Sequence, residues 1–426
     1  MSKNKTGKIL MFGVFSLVLG AAAGAVVWII LSLANLGIML LWDLLPKTIG
    51  VTAEPGRLGF VIYSLCICIA GGIIIGLWQR KNGILPDETE QVMGRIKRSG
   101  SYPYNRIHIL VISALLPIIF GGTIGPEAGL IGVIAAICCL VGDILKCKGD
   151  EVAALAEAGM AAAVGAIFNA PLFGIADNLE SVRGKGKNRK RLVSKKARVF
   201  IYVMGVIGGM SVMMLLSKFF GGGSGLPRFD ARHAMGLDQW KWFVPMLVLS
   251  VLFGLYYLLM RYMTRSIGGL LEKYRVTSCV IAGVVVAIVT SLAPFTSFSG
   301  EEGISQLMEN WQAVSPAVLV AAAVLKLFTV NVCVDLGWRG GSIFPLIFSG
   351  VAAGYAFASL AGMDGTFAVA VFCAGIYSYV NRKPVSVIMI LLMCFPVTYI
   401  LPIAAASFAA SFIPAPKVLL RSVKTE

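Results

Sequence analysis

From Ile9 to Trp42 the chain runs without a single charged residue. Spanning the hydrocarbon of a bilayer takes about 20 apolar residues per helix, so this run exceeds one perpendicular crossing. It predicts a long tilted helix, or a span that continues into an interfacial segment. Further apolar segments recur at roughly 58–78, 107–145, 152–180, 199–220, 241–263, 277–295, 313–330, 342–361, 366–380 and 384–413. The 426 residues are 58% hydrophobic and 14% charged, against about 25% charged in a typical soluble domain. The chain is therefore expected to be an all-α, multi-pass integral membrane protein. Lys3, Lys5 and Lys8 look like the start of a signal peptide, but the apolar stretch behind them is too long and ends in no clean cleavage site. An uncleaved first span is expected.

The formal net charge is +16, a value that invites a nucleic-acid reading. The charges, however, cluster between apolar segments, as in loops that orient a membrane protein. The largest cluster, Ser181 to Arg198, holds nine basic residues and no acid. It reads as a cytoplasmic loop, with the N-terminus on the same side and anionic lipid heads as its partner. No nucleic-acid partner is expected. Cys66, Cys68, Cys138, Cys139, Cys279, Cys333, Cys373 and Cys394 lie in apolar segments and read as small packing residues. With His108 and His233 the only histidines, the sequence offers no metal spacing and no nucleophile–base pair. Neither a cofactor nor an enzymatic activity is expected. The Gly-rich stretch Gly221 to Gln239 lacks the ending of a phosphate loop. Thr296 to Trp311, acidic and free of Lys and Arg, reads as an outer loop.

Several apolar segments are short or interrupted at Gly121-Gly122, Gly340-Gly341, Pro345, Pro396 and Pro402. Broken helices at membrane depth must be buried in protein or line a wet cavity, so a bundle with partly re-entrant helices is expected. Residues 121–126 read GGTIGP and residues 340–345 read GGSIFP. Matching interrupted segments, one per half, point to a repeat-built transporter. The halves expected are 1–190, with the N-terminal helix and the start of the basic linker, and 191–413, followed by a short cytoplasmic tail at 414–426.

A glycine pair before a helix start exposes backbone N–H groups at the positive end of the helix dipole, which suits a dehydrated anion. Gly125 and Gly341 let the backbone approach an ion closely. Pro126 and Pro345 suit a first helical turn, where a missing N–H costs nothing. Glu127 stands just after the first loop in an uncharged stretch. A carboxylate there can mimic the anion, and its protonation or displacement would open the path, making it a gate, a proton carrier, or both. The plainer alternative is a carboxylate that caps its helix or lies at the membrane surface.

These stretches resemble the CLC family of chloride channels and proton-coupled anion transporters. Gly125-Pro126-Glu127-Ala128-Gly129 is similar to the family's GxEGP motif, and Gly340-Gly341-Ser342-Ile343-Phe344-Pro345 to its GGxFxP motif. Ala158-Gly159-Met160 through Phe168-Asn169-Ala170-Pro171-Leu172-Phe173-Gly174 looks like AGxAAGxAAAFNAPLAG, and Arg382-Lys383-Pro384 fits the start of a late CLC helix. The resemblance runs from about Gly20 to Pro416 and is nearest the divergent bacterial YfeO-like branch. It implies a CLC-like two-half inverted repeat, a homodimer with a pore per subunit, and a multi-pass protein of the bacterial plasma membrane. The function it implies is halide transport, with chloride first, as a channel or proton-coupled exchanger gated by Glu127. The alternative is a fluoride/proton antiporter of the same type. It makes Gly125, Pro126, Ala128, Gly341, Ser342, Ile343 and Phe344 anion-binding. Asn82-Gly83-Ile84-Leu85-Pro86 stands where the family's first pore motif belongs, and Asn82 is similar to the asparagine of fluoride-selective members, so Asn82 and Gly83 join the set. Two departures bear on coupling. Ser181 stands where the antiporters keep an internal proton-transfer glutamate, with Glu180 and Asp177 nearby, and Pro416-Lys417-Val418 holds no pore tyrosine.

Overall fold

A computed structural model describes residues 3–51, 58–99, 101–146, 149–183, 195–222, 225–230 and 236–423. Most of the basic linker and His233 lie outside them. The first helices are α1 (Lys3–Ile38), α2 (Leu45–Thr48), α3 (Leu58–Asn82), α4 (Thr89–Ser99), α5 (Ile107–Ile119) and α6 (Glu127–Ile144). They are followed by α7 (Gly149–Ile167), α8 (Pro171–Arg183), α9 (Lys195–Phe220), α10 (Phe243–Leu270), α11 (Arg275–Leu292) and α12 (Glu301–Asn310). The last are α13 (Pro316–Asp335), α14 (Ile343–Ala361), α15 (Gly365–Asn381), α16 (Pro384–Cys394), α17 (Ile400–Phe412) and α18 (Lys417–Val423). Eight helical stretches among the described residues are long and apolar enough to cross a membrane. The chain is a multi-pass membrane protein.

The long uncharged run becomes one nearly continuous helical rod. Its α-helical hydrogen bonds loosen into a π-helical stretch at Met39–Leu44 before α2 resumes them. The apolar segments 107–145, 152–180 and 384–413 each split into two helices. The breaks fall at Gly121-Gly122, at Asn169 with its left-handed φ of 51°, and at the extended Pro396. Pro345 and Pro402 interrupt nothing, because each is the third residue of its helix, where no intrahelical N–H bond is lost. The stretch 296–311 departs from the loop expected of it. Gly300, at φ 95°, starts α12, Glu301 and Glu302 sit at the favourable end of its dipole, and Gly303, Ile304 and Leu307 give it a buried face.

The helices gather into two compact units, interleaved along the chain. Unit 1 comprises Met1–Leu33, Pro86–Ile112 and Glu127–Gly225. Small residues set its tightest crossing. A Cβ on Gly20 would fall 2.0 Å from the Gly205 carbonyl oxygen, and one on Gly24 would fall 2.1 Å from that of Gly209. Two helices that present glycine every fourth residue bring their backbones together without a side chain between them. Ala158, Ile201 and Tyr202 are buried beside this crossing. Glu157, on α7, is buried and accepts a short hydrogen bond from the Tyr202 hydroxyl, while Arg198 Nη1 stands 3.6 Å from the same carboxylate oxygen. In the loop after α4, the Tyr102 hydroxyl donates to Asp87 at 3.0 Å, and Arg95 pairs with the same carboxylate at 3.1 Å. Burial, with the Asp87 charge adding to it, pushes the Tyr102 phenol above the usual tyrosine range.

Unit 2 comprises Ala34–Leu85, Ser113–Pro126 and Leu226–Glu426. Glycine spacing governs it too: Gly350 and Gly354 of α14 lie against the backbone of Cys373 and Val369 on α15, and Gly72 of α3 against Cys279 of α11. Every residue of α15 from Phe367 to Val380 is buried. This grouping follows packing, whereas the halves 1–190 and 191–413 concern repeat symmetry and stand as an expectation. Among the cysteines, Cys66 is exposed, unlike the seven others described, which are buried.

Candidate functional site

The echo in the sequence is a contact in the structure. Gly125 and Gly341 form a reciprocal antiparallel pair, each N–H donating to the other's carbonyl at 2.8 Å. GGTIGP and GGSIFP are thus hydrogen-bonded to each other within unit 2. Both glycines are buried, as are Thr123 and Ile124. Gly340 is needed where it stands, because a Cβ there would fall 2.3 Å from the Ile124 side chain of the facing loop. Gly121 is needed twice over: its φ is 94°, and a Cβ would strike the Trp42 ring at 2.6 Å.

Each loop opens a helix. Pro126 immediately precedes α6, whose first residue is Glu127, only 1% exposed. That burial removes the reading of a surface carboxylate and leaves a buried acid at the positive end of its own helix. Ala128 is buried beside it in sequence. Ser342 is the residue before α14, and its hydroxyl makes no cap bond to the helix. Ile343 is half-buried, and Phe344 and Pro345 are fully buried in the first turn. Asn82 and Gly83 stand at the C-terminal end of α3. Asn82 ends α3, its side-chain amide turned back to the Trp78 carbonyl at 3.1 Å, and Gly83, at φ 89°, closes that helix with an N–H bond to Gln79. They form a helix C-terminus, where carbonyl groups and negative partial charge gather.

The scaffold around the paired loops consists of residues that the sequence did not single out. Trp42 donates its indole N–H to the Ile119 carbonyl at 3.0 Å, just before the first loop. Gln79, buried in α3, donates to the Gly337 carbonyl at 2.5 Å, just before the second. Trp338, fully buried, donates to Cys279 at 2.8 Å. Lys326 on α13 is fully buried as well. Its ammonium donates to the carbonyls of Thr296 at 2.8 Å and Phe298 at 2.7 Å, and lies 5.2 Å from the Phe348 ring centre. Phe298 in turn packs edge-on against Trp42, so the lysine supports the first loop through two rings. A polar residue inside an apolar helix was the available signal for Lys326, whereas Gln79 opens the polar end of α3, Gln79-Arg80-Lys81-Asn82, and gave no such signal. At the end of α13, Asp335 pairs with Arg261 at 3.3 Å and accepts from the Thr264 hydroxyl at 2.5 Å. Asp177 and Glu180 are half-buried on α8, and Lys417 and Val418 are exposed at the start of α18.

No group of metal-ligating side chains is present among the described residues. The paired loops offer backbone amides, helix starts and small residues, which is the equipment for a dehydrated anion.

Residues 66–415 match the family described as voltage gated chloride channel. The chain is 24% identical over 351 residues to the putative ion-transport protein YfeO of Escherichia fergusonii, covering 81% of this chain and 78% of that protein. The YfeO protein of Shigella flexneri is similar to the same degree. Among solved structures, a slow cyanobacterial Cl-/H+ antiporter superposes with a TM-score of 0.77 at 15% identity, covering 97% of this chain and 94% of its own. A CLC-type fluoride/proton antiporter gives 0.76 at 17% identity, with 95% of each chain covered. A eukaryotic CLC transporter gives 0.67 at 16% identity, covering 98% of this chain and 74% of its own.

Proposed function

The chain belongs to the voltage-gated chloride channel family, and from that premise we propose that it carries a halide, chloride first, across a bacterial plasma membrane. The observation that carries the reading is the reciprocal Gly125–Gly341 pair, which ties together two loops that each lead into a helix N-terminus. Helix starts at membrane depth concentrate positive partial charge, and glycines let an ion approach the backbone. Gly125, Pro126, Ala128, Gly341, Ser342, Ile343 and Phe344 line the anion's route in this proposal. Asn82 and Gly83 are its weakest members, because they close α3 at the end of a helix that disfavours an anion.

Glu127 is the gate. A buried carboxylate at the head of α6 competes with a passing halide while ionised and yields when protonated. Transport is then channel-like or coupled to protons, with Glu180 and Asp177 as the candidate inner proton carriers. The second reading, fluoride/proton antiport, draws on the likeness to a fluoride/proton antiporter, which is as close as that to the chloride antiporter. Two copies per assembly and a cytoplasmic N-terminus complete the proposal.

Reconstitution in liposomes tests it. The reversal potential of halide flux under a proton gradient follows the halide alone for a channel and shifts with pH for an exchanger. Chloride against fluoride efflux separates the two substrates. Glu127→Gln is expected to abolish the pH dependence of flux. Unchanged flux with an unchanged pH profile would sink the gate and leave Glu127 a helix cap.

A further inference from the structure

α15 ends at Asn381 and Pro384 begins α16, so two residues make the turn. The first, Arg382, takes the left-handed conformation at φ 58° and closes α15 with an N–H bond to Ser378 at 2.9 Å. Glycine or asparagine is the usual occupant of such a cap, and a long side chain there is strained unless it is put to use. It is heavily used. The Nη1 group donates to the carbonyls of Ser411 at 2.9 Å and Ile413 at 2.5 Å, with Ala410 more distant at 3.5 Å. These are the last carbonyls of α17 and the residue that follows it, where a cation is favoured. The guanidinium also lies over the Tyr379 ring, 4.4 Å from its centre, and the Tyr379 hydroxyl reaches the Pro414 carbonyl at 3.5 Å. One end and one face of the guanidinium are thereby fixed.

The remaining edge is not. Nε and Nη2 are both shut off from solvent and have no hydrogen-bond partner. In a planar guanidinium these two nitrogens share the edge away from Nη1, and their N–H bonds point outward in parallel. That fork is the geometry with which arginine grips an anion through two hydrogen bonds at once. Among the described residues, Arg382 has no carboxylate ion pair. On this half-buried side chain, two cationic nitrogens closed to solvent and unmet by any acid are costly unless an anion meets them.

We propose that Arg382 holds a small anion on its Nε/Nη2 edge, forming a binding site at the turn between α15 and α16 that is distinct from the paired glycine loops. The chemistry recognised is one anionic centre that accepts two parallel N–H bonds. A free halide and a lipid phosphate both satisfy it, and the free ion is the occupant proposed. Tyr379 and the α17 carbonyls orient the fork, so the site also braces the linker from Ile413 to Pro416. The proposal concerns binding and does not depend on Glu127 acting as a gate.

The test uses the whole protein, purified in lipid nanodiscs or crystallised with bromide at about 0.15 M, a physiological ionic strength. Anomalous diffraction is expected to show bromide within hydrogen-bonding distance of both Nε and Nη2. In Arg382→Lys, which keeps the charge and can still reach the α17 carbonyls but loses the fork, that peak is expected to vanish. Any bromide near Gly125 and Gly341 should persist in the variant. Elongated density without anomalous signal, continuing into an acyl chain, would identify a lipid headgroup and overturn the free-ion site. A peak that appears only at molar bromide would mean an adventitious ion only, and a fork satisfied by ordered water would also end the proposal. Should Arg382→Lys fail to fold, the wild-type anomalous map decides alone.

Discussion

GGTIGP and GGSIFP begin alike and end differently. The first runs into Glu127, a buried acid, and the second into the wholly apolar Leu346-Ile347-Phe348. Their supports differ as well. The first loop rests on Trp42 through the left-handed Gly121 and the Ile119 carbonyl, and through Trp42 and Phe298 on the buried Lys326. The second rests on Gln79 and Trp338. The difference teaches that the backbone pairing is shared property, whereas the charge and its bracing belong to one side. If the first loop carries the moving or titrating part, firm support beneath it is what the physics asks for, since a buried acid is tolerated only where its surroundings are held in place.

Three substitutions press on that comparison. Gly340→Ala should have the largest effect, about 2–3 kcal/mol of lost stability, because its new methyl collides with Ile124 across the pairing. Thermal unfolding in detergent measures it, and Ile124→Ala in the same chain should restore part of the loss, since the Ile124 Cβ itself stays 2.7 Å from the new methyl. Absence of rescue would mean that the two loops are not coupled through this contact. Lys326→Met comes next, at about 1–3 kcal/mol, since it leaves the Thr296 and Phe298 carbonyls without their donor. If the lysine braces the first loop, Lys326→Met should also alter halide flux in liposomes, while an equally destabilising change on α7 should not. Trp42→Phe should be the mildest. It keeps a ring against Gly121 and forfeits one hydrogen bond to Ile119, about 1 kcal/mol. A larger loss than that of Lys326→Met would reverse the order of importance assigned to the two supports.

Much of this arrangement can be read from residues alone, and the reasons are local. The membrane spans follow from charge-free length, and the paired loops from a repeated glycine motif, because both are written in consecutive residues. Glu127 stands out by the same logic, as a charge in an apolar neighbourhood. What sequence conceals is anything settled by distant partners. Asn82 is proposed for the pore on resemblance alone, and its side-chain bond to the Trp78 carbonyl of its own helix is not visible in sequence. Thr296 to Trp311 looks like a loop until Ile304 and Leu307 find a core to face. Lys326 is visible as a polar intrusion in an apolar helix and Gln79 only as part of a polar helix end, and the carbonyls they serve lie 28 and 258 residues away in the chain. Arg382 fits a late helix start by resemblance, and only the structure shows that its donors are half spent and half open.

The reciprocal glycine pair has a consequence for donor arithmetic. A passing anion can be held only by N–H groups not already spent, and Gly125 and Gly341 spend theirs on each other. Pro126 has none to give. On the proposed route the two glycines would serve an ion by leaving room for it, not by bonding it. On the first loop the nearest amides beyond the pair are those of Glu127 and Ala128. On the second they are those of Ser342, Ile343 and Phe344, before Pro345 ends the supply. In the proposed route, whatever holds an ion beyond that pair has to come from the residues that open α6 and α14, while the glycines keep the two loops tied together.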